Sequence, residues 1–454
     1  MSFFDKLKKL FLEKDSVNVT PQKKSNNTRS EVPQVEMVDL IIPKGTTEIK
    51  VCEFRSRDDI SSVVIPEGVK KIGNEAFCWC KNLTDIVIAE SVTEIGEGAF
   101  SCCKSLTRVK IPKGVKTIGK KAFSHCKNLT DVVIPDSITE IGELAFLSCD
   151  NLKGVYISDL SKWCGIDFVE EPPYEAGGWT EAASSNPLAY AGNLYLNGNL
   201  IKKLAIPEGV THITKNAFWG CRSLTDVVIP ENLTFIGTGA FDECVNLKGV
   251  HISNLYKWCN INNRSNPLCY AGNLYLNGNL IKKLAIPEGV THITENAFWG
   301  CNKLEKVIIP EGVTKIGAHA FLDCTGLTSV VFPKSMRVID TWAFMRCAAL
   351  KEIIMPEGVT EIGREAFAQC FALTSLLLPE SVSRIGDYAF SGCENLEKVH
   401  LPDSDVLMWD DTFDGCKNLD EETRLKIQQI AKKRYVPEYT QIIESGYERW
   451  MKIN

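Results

Sequence analysis

The cysteines are the residues of this chain whose chemistry and spacing stand out first. The sequence holds 18 cysteines, and twelve of them recur at one position of a 23-residue pattern. Thiolates bind zinc, attack electrophiles or form disulfides, but zinc motifs place their ligands two to five residues apart. Cys78 with Cys80, and Cys102 with Cys103, are only weak local pairs of this kind. The twelve are Cys80, Cys103, Cys126, Cys149, Cys221, Cys244, Cys301, Cys324, Cys347, Cys370, Cys393 and Cys416. Because cysteine is small and readily buried, we predict a stacked ladder of reduced thiols with a packing role.

Such a ladder carries an expectation about the compartment. Neighbouring thiols would be close enough for disulfide geometry, so an oxidising environment would risk cross-links between coils. The segment from Met1 to Lys14 has charges every few residues and lacks the uninterrupted apolar stretch of a secretory signal. We therefore expect a cytoplasmic protein in a reducing compartment.

The remaining reactive residue types form no recognisable site. None of the six histidines has the spacing of a metal or catalytic motif, and His212 and His292 are simply equivalent repeat positions. No His-Glu-x-x-His, nucleophile elbow or phosphate-binding glycine loop is present. We predict no enzymatic activity, no metal and no cofactor. The mild net charge of −6 argues against nucleic acid, and no apolar run is long enough to span a bilayer.

A repeat containing phenylalanine underlies the cysteine spacing. One copy reads Leu304-x-x-Val307-x-Ile309-Pro310-x-x-Val313-x-x-Ile316-Gly317-x-x-Ala320-Phe321-x-x-Cys324. The phenylalanines fall in three blocks of 23-residue steps: Phe77, Phe100, Phe123 and Phe146; Phe218 and Phe241; Phe298, Phe321, Phe344, Phe367, Phe390 and Phe413. One repeat offers about 15 kcal/mol of apolar burial, whereas ordering each residue costs about 1–2 kcal/mol. A single copy cannot fold alone, so the copies must stack.

The frame also predicts the elements of each coil. Leu-x-x-Val-x-Ile-Pro ends in alternating apolar positions, which favours a short strand that proline terminates. Val-x-x-Ile-Gly indicates a second, shorter extended segment with glycine at a tight bend. The stretch x-x-Ala-Phe-x-x-Cys is expected to form a helical turn or two. Stacked coils would then give parallel strands about 4.8 Å apart.

The frame resembles the BspA-like leucine-rich repeat, and the resemblance covers about residues 40–420. It implies an α/β fold, namely a right-handed leucine-rich-repeat solenoid with a parallel sheet, and a role in protein interaction. Members of that family are often surface or secreted adhesins. This sequence shows no signal peptide or wall-anchoring tail, which departs from that pattern.

Two insertions, near residues 158–205 and 253–285, interrupt the period. Both contain a Lys-Trp-Cys triplet, ending at Cys164 and Cys259, and both contain Asn-Gly between apolar residues, at Asn197 and Asn277. Asn-Gly in this setting predicts a type I′ hairpin. The insertions could build a binding site on one face of the solenoid. Alternatively, Trp163 and Trp258 fill the gap where the repeat is broken.

The organisation that follows has three parts. Residues 1–35 are an amphipathic helix and a polar linker, either loosely docked or used to contact a membrane or partner. Residues 36–419 are the solenoid with its insertions. Residues 420–454 are a helical C-terminal cap, beginning with a helix over Glu421–Tyr435, or else a partner-binding tail.

The residue between the Val and Ile of each strand should point away from the core. From Ile308 through Val331 and Ile354 to Leu377 this residue is large and apolar four times in succession. A contiguous apolar strip indicates an interface, whereas ordinary strand preference or coverage by the tail would also account for it. We predict a partner-binding surface at Ile308, Val331, Ile354, Leu377 and Val228. The function expected is a non-enzymatic interaction scaffold for a protein of unknown identity, binding through the strand face or the insertions. A surface adhesin exported without a recognisable signal is the alternative.

Overall fold

The structure, a computed structural model, describes residues 36–170, 184–403 and 405–432. Three predicted features lie outside these residues: the N-terminal helix and linker, the Pro-Pro-containing loop of the first insertion, and the part of the C-terminal cap beyond residue 432. The chain divides into two compact units, with the boundary between Leu247 and Lys248. Both units consist of β-solenoid coils with a spacing of about 23 residues, about 15 coils along the chain.

In the first unit the strands are β1 Val38–Ile41, β2 Glu48–Ile49, β3 Ile60–Ile65, β4 Lys71–Ile72, β5 Asp85–Ile88, β6 Glu94–Ile95, β7 Arg108–Lys110, β8 Thr117–Ile118, β9 Asp131–Val133, β10 Glu140–Ile141, β11 Gly154–Ile157, β12 Asp167–Phe168, β13 Leu194–Leu196, β14 Asn199–Leu200, β15 Lys203–Ala205, β16 His212–Ile213, β17 Asp226–Val228 and β18 Phe235–Ile236. Two short helices lie within its insertion, α1 Leu160–Cys164 and α2 Leu188–Ala191.

In the second unit the strands are β19 Gly249–Ile252, β20 Asn262–Asn263, β21 Leu274–Leu276, β22 Asn279–Leu280, β23 Lys283–Ala285, β24 His292–Ile293, β25 Lys306–Ile308, β26 Lys315–Ile316, β27 Ser329–Val331, β28 Val338–Ile339, β29 Glu352–Ile354, β30 Glu361–Ile362, β31 Ser375–Leu377, β32 Arg384–Ile385 and β33 Lys398–His400. The helices are α3 Leu255–Cys259, α4 Leu268–Ala271 and α5 Glu421–Lys432.

Each regular coil contributes one longer and one two-residue strand, as the repeat frame predicts. Strands of equal type pair in parallel with the next coil, in a register of 23 residues, so that Val109 lies opposite Val132 and Ile118 opposite Ile141. In both strands the isoleucine or valine of the frame is buried. The longer strands and the two-residue strands therefore form separate sets of parallel sheets, and the inward residues of both sets pack in the apolar interior of each unit.

The Ala-Phe-x-x-Cys stretch is not helical, so this part of the sequence prediction is wrong. Every second N–H group closes a turn within its own coil, as Cys78 N donates to Glu75 O at 3.0 Å. The others donate to the adjacent coil, as Phe77 N does to Ala99 O at 2.8 Å. Glu75 and Trp79 have positive φ, of 53° and 66°. Two left-handed residues four positions apart interrupt the right-handed backbone of this stretch, which a continuous helix does not allow.

The phenylalanines stack from coil to coil in the interior. In the first unit Phe54, Phe77, Phe100, Phe123 and Phe146 lie at centroid distances of 5.2–5.5 Å. In the second unit a run from Phe298 to Phe413 has distances of 5.1–5.4 Å. Offset aromatic pairs of this kind stabilise a fold by about 0.5–1.5 kcal/mol beyond area burial. The rings thus give each coil a contact that repeats in register.

The glycine that follows isoleucine in the frame is required by close approach of the coils. A Cβ atom on Gly119 would lie 2.6 Å from the backbone carbon of Gly96 in the preceding coil. No side chain larger than hydrogen fits at that distance without moving the backbone. The bend predicted at this position is therefore also a point of close approach between adjacent coils.

Candidate functional site

Four outward-facing apolar side chains form what we call the strip, comprising Ile308, Val331, Ile354 and Leu377. Their exposed fractions are 43%, 46%, 64% and 49%. The residue before each of them points inward, and Val307, Ile353 and Leu376 are buried. The alternation predicted from sequence is therefore present, and four large apolar residues on one face of the second unit are in contact with solvent.

The backbone groups the strip into two bonded pairs. Ile308 lies opposite Val331 in the ladder of β25 with β27, and Ile354 lies opposite Leu377 in the ladder of β29 with β31. β27 and β29 belong to separate three-stranded sheets. The break between these two sheets coincides with Phe332, which replaces the inward isoleucine of the frame. The rings of Phe332 and Phe344 pack edge to face, with their centroids 5.9 Å apart.

Val228, the fifth predicted binding residue, is not part of the strip. It lies in β17 of the first unit, opposite Ala205, and its side chain is only half-buried rather than exposed. Its neighbours in the ladder offer no large apolar side chain. The structure therefore brings together four of the five predicted residues as two adjacent pairs.

A shorter apolar column on the first unit was missed. Ile41, Val64 and Val87 lie opposite one another in β1, β3 and β5, with exposed fractions of 73%, 42% and 60%. The signal was available, because Ile42-Pro43 and Ile65-Pro66 align with the Ile-Pro of the frame and place Ile41 and Val64 in the outward position. Lys110 ends the column in the next strand, where it pairs with Glu90 at 2.7 Å.

The insertions extend the solenoid and do not only interrupt it. In the first, β13 pairs in parallel with β11, and β12 pairs in parallel with β10. β13 then turns back into β14, with Leu196 opposite Asn199. Asn197 and Gly198 have φ values of 51° and 79°, which confirms the predicted type I′ hairpin.

Trp163 and Asn186 are buried and serve the structure of the first insertion. The Trp163 Nε1–H donates to the carbonyl oxygen of Ala217 at 2.8 Å. The amide of Asn186 donates to the carbonyls of Asn216 at 2.7 Å and Ala217 at 3.1 Å, and its oxygen accepts the N–H of Leu188 at 2.9 Å. In an uninterrupted coil the alanine carbonyl accepts the backbone N–H of the phenylalanine in the preceding coil, as Ala122 O does from Phe100. The side chains of the insertion therefore replace missing backbone donors.

The second insertion repeats this arrangement within the second unit. Trp258 Nε1–H donates to Ala297 O at 2.9 Å, and the Asn266 amide donates to the carbonyls of Asn296 and Ala297. Both tryptophans are at most 2% exposed. Of the two interpretations of these tryptophans, the geometry supports the structural one.

The insertions present one stacked ring pair each on the strand face. Tyr156 stacks on Tyr195 and His251 stacks on Tyr275, both with centroids 4.6 Å apart. These residues continue the outward column, because Tyr156 lies opposite Tyr195 and His251 opposite Tyr275 in parallel ladders. Their ring partners Tyr195 and Tyr275 lie in the hairpin strand, which is outside the repeat frame, so the frame could not predict the stacked pairs.

The cysteine ladder is buried, and no two of its thiols are joined by a disulfide. All 18 cysteines are free thiols, and each of the twelve in the repeat position is buried. Cys103 Sγ–H donates to Phe77 O at 3.2 Å, and the same contact recurs from coil to coil. Burial raises the pKa of Cys80 to about 11 and that of Cys149 to about 12. Thiols with such pKa values are protonated at neutral pH and poor nucleophiles, which fits a packing role.

His319 lies between two tryptophans on the surface of the second unit. Its ring centroid is 6.1 Å from that of Trp299 and 4.7 Å from that of Trp342. Burial lowers the pKa of His319, while the nearby carboxylates of Glu295 and Asp340 act in the opposite direction. The His319 Nδ1 lies 3.8 Å from Glu295 Oε1. His319 is therefore a candidate pH-sensitive group of the second unit.

Within residues 36–170, 184–403 and 405–432, no group of three or more His, Cys, Asp or Glu side chains could hold a metal ion. Across the same residues, no helix is long and apolar enough to cross a membrane.

Coils of short parallel strands, recurring every 23 residues around stacked phenylalanines, define a leucine-rich repeat solenoid. The family model described as the BspA type leucine-rich repeat region, in six copies, matches residues 36–164, 183–271, 271–394 and 360–435. The chain belongs to this BspA-type leucine-rich repeat family. Proteins of this class are typically interaction or surface proteins and are generally non-enzymatic.

Solved structures of bacterial leucine-rich repeat proteins are similar to this chain. A leucine-rich repeat protein from Bacteroides ovatus is 25% identical with a TM-score of 0.44, over 88% of this chain and 92% of that one. A leucine-rich cell-surface protein from Faecalibacterium prausnitzii is 26% identical with a TM-score of 0.32, over 80% of this chain and 78% of that one. A comparison with curated proteins gave no match.

Proposed function

We propose that the protein is a non-enzymatic scaffold that binds a protein partner through the strip on the second unit. The observation that carries the proposal is the exposure of four large apolar residues in consecutive coils, each at least 43% exposed. Contiguous exposed apolar residues on a solvated sheet are typical of an interaction surface.

The insertions are weaker candidates for the binding surface. Their tryptophans and buried asparagines form hydrogen bonds to carbonyl groups of their own unit. These side chains are therefore committed to folding. The stacked ring pairs Tyr156–Tyr195 and His251–Tyr275 remain as the outward-facing part of the insertions.

The proposed setting is a reducing compartment, the cytoplasm. Eighteen free thiols, twelve of them in a buried ladder, support this setting because oxidation could cross-link neighbouring coils. The competing function is a surface adhesin, which the cell-surface description of the Faecalibacterium protein favours. Fractionation of the producing cells tests this alternative, because recovery of the protein outside the cell would support the adhesin.

The test is affinity capture from a lysate of the producing cells under reducing conditions. We compare the wild type with a triple variant, Val331→Asp, Ile354→Asp and Leu377→Asp. The matched control carries Ile41→Asp, Val64→Asp and Val87→Asp, the same substitution in the same outward column of the first unit. Each variant is first checked for a wild-type circular dichroism spectrum. The proposal predicts a partner that wild type and control capture and the strip variant does not. A partner captured equally by all three chains would contradict it.

A further inference from the structure

We infer that the partner presents a basic amphipathic helix that lies along the strip, across the strands. The inference rests on the proposed function and deepens it by naming the kind of partner. It follows from the spacing of the strip, its area and the charges beside it.

The spacing of the strip residues matches the pitch of an α-helix. Bonded parallel strands lie about 4.8 Å apart, which sets the interval within each pair of the strip. Between the pairs, β27 and β29 are not bonded, but β28 and β30 of the same two coils are, so the coils keep about the same spacing there. An α-helix advances about 5.4 Å per turn and can place one apolar residue per turn on a single face. Over the three intervals from Ile308 to Leu377 the mismatch grows to only about 2 Å.

An extended peptide does not fit the same spacing. Side chains on one face of a strand recur about every 6.7 Å, which falls out of step with the strip after a single interval. Main-chain addition to a sheet edge is also unsuited to this surface. Ile308 lies in β25, which is bonded to β23 on one side and to β27 on the other, and Leu377 lies in β31, which is bonded to β29 and β33.

The area of the strip argues against a second copy of the chain as the occupant. Four strands of three residues cover about 10 Å by 19 Å, or about 200 Å². A stable dimer buries about 800 Å² on each partner, so sheet-on-sheet pairing at this site would fall well short. A single helix, about 10 Å in diameter with its side chains, has the width of the strip.

The charges beside the strip favour basic residues on the helix. In each of the four coils, the residue three positions after the strip residue is exposed and charged. It is a glutamate in three coils (Glu311, Glu357 and Glu380) and a lysine, Lys334, in the fourth. Backbone N–H groups of Lys334 and Ser335 lower the pKa of Glu311, so this carboxylate stays ionised. On the other flank the equivalent positions carry one charge of each sign, Lys306 and Glu352, and two serines, so this flank has no net charge. A helix with lysine or arginine beside its apolar stripe would meet one acidic edge and one neutral edge.

The experiment measures fluorescence anisotropy of labelled 18-residue peptides with the full-length protein at low ionic strength. The first peptide has leucine at positions 4, 8, 11 and 15, lysine on both flanks and alanine elsewhere. The second replaces two central alanines with proline, which breaks the helix. The third has glutamate in place of lysine. Proteins compared are the wild type, Ile354→Asp and the matched control Val87→Asp.

We expect the first peptide to bind the wild type at least tenfold more tightly than the proline peptide. Ile354→Asp should weaken its binding at least tenfold, and Val87→Asp less than twofold. The glutamate peptide should bind several-fold more weakly than the lysine peptide, and added salt should narrow that difference because it screens exposed charges.

Several results would overturn the inference. The inference is wrong if the proline peptide binds the wild type as tightly as the first peptide, or if Ile354→Asp leaves the binding of the first peptide unchanged. It is also wrong if the glutamate peptide binds more tightly than the lysine peptide, or if the first peptide shows no binding up to about 1 mM, a dissociation constant that corresponds to only about −4 kcal/mol. Light scattering that shows a dimer dissociated by Ile354→Asp would instead assign the strip to a second copy. Failure here is separable from failure of the proposed function, because capture of a natural partner that depends on the strip would leave that function intact.

Discussion

A regular coil and a coil that follows an insertion satisfy the same carbonyl group by different means. In a regular coil, Ala122 O accepts the backbone N–H of Phe100 at 2.8 Å. After the first insertion, Ala217 O accepts the Trp163 indole and the Asn186 amide. A buried carbonyl without a partner costs about 1–3 kcal/mol, so an interruption of the solenoid must supply donors from side chains.

The two insertions share this solution although their lengths differ. Phe146 and Phe218 are 72 residues apart, whereas Phe241 and Phe298 are 57 residues apart. Both nevertheless place a Trp indole and an Asn amide on the alanine carbonyl that precedes the next phenylalanine. The extra residues of the first insertion are therefore not needed for this repair.

Loss of a stacked phenylalanine should have the largest effect on stability. Phe344 stacks on two rings, those of Phe321 and Phe367. Among the residues that the structure describes, Phe218 stacks on one ring, that of Phe241. Phe344→Ala should reduce the free energy of unfolding by about 3–5 kcal/mol, and Phe218→Ala by about 1 kcal/mol less. Denaturant titration measures both. If Phe344→Ala reduces the free energy of unfolding by less than about 1 kcal/mol, a third of the lower limit, Phe344 is not a core residue.

Removal of the buried asparagine should come next. Asn186→Ala deletes two donors and one acceptor, and we expect a loss of about 2–4 kcal/mol. Asn266→Ala should have the same effect if the two insertions are equivalent. Asn193→Ala is the control, because half-buried Asn193 donates one bond to Lys153 O at 2.9 Å and should cost under about 1 kcal/mol. Equal losses for Asn186 and Asn193 would show that the amide does not replace backbone donors.

Removal of the indole donor alone should be smaller still. Trp163→Phe keeps an aromatic ring but deletes the bond to Ala217 O, while Asn186 still donates to the same oxygen. We expect a loss of about 1–2 kcal/mol. In the Asn186→Ala background the same change should cost more, because the carbonyl then has neither donor. Strict additivity in this double-mutant cycle would argue that the two donors act independently.

Titration of His319 should have the smallest effect. Because burial lowers its pKa from the ordinary 6.5, the neutral ring is favoured in the folded state. Its contribution to stability is complete above pH 6.5 and declines as the pH falls through the lowered pKa. Proton NMR of the histidine ring should give a midpoint below 6.5, and tryptophan fluorescence should change over the same range. His319→Gln should abolish that change; persistence of the change in this variant would assign it to other groups.

The repeat made much of the fold predictable. The frame around Ile309-Pro310 and Ile316 specifies both strand types, and Asn197-Gly198 specifies the hairpin, because these residue types have strong local preferences. The conformation around Phe77 could not be predicted in the same way. Glu75 and Trp79 adopt positive φ although neither residue type favours it, so contact with the adjacent coil and not local preference decides.

The candidate site was predictable in part for a related reason. Alternation along each strand identified Ile308 and Ile354 as outward-facing, since it depends only on period two. The partner of Trp163 could not be foreseen, because Ala217 is 54 residues away and the contact exists only once the coils have stacked. The boundary between the two units, at Leu247 and Lys248, could not be predicted either, because the repeat frame does not change there.

The most direct test of this account measures the dissociation constant of the captured partner for three chains. They are the wild type, Ile354→Asp in the strip, and Tyr275→Ala in the stacked pair of the second insertion. If the regular coils bind the partner and the insertions serve the fold, Ile354→Asp should weaken binding at least tenfold and Tyr275→Ala less than twofold. A large loss with Tyr275→Ala and none with Ile354→Asp would contradict the account and place the binding surface on the insertions.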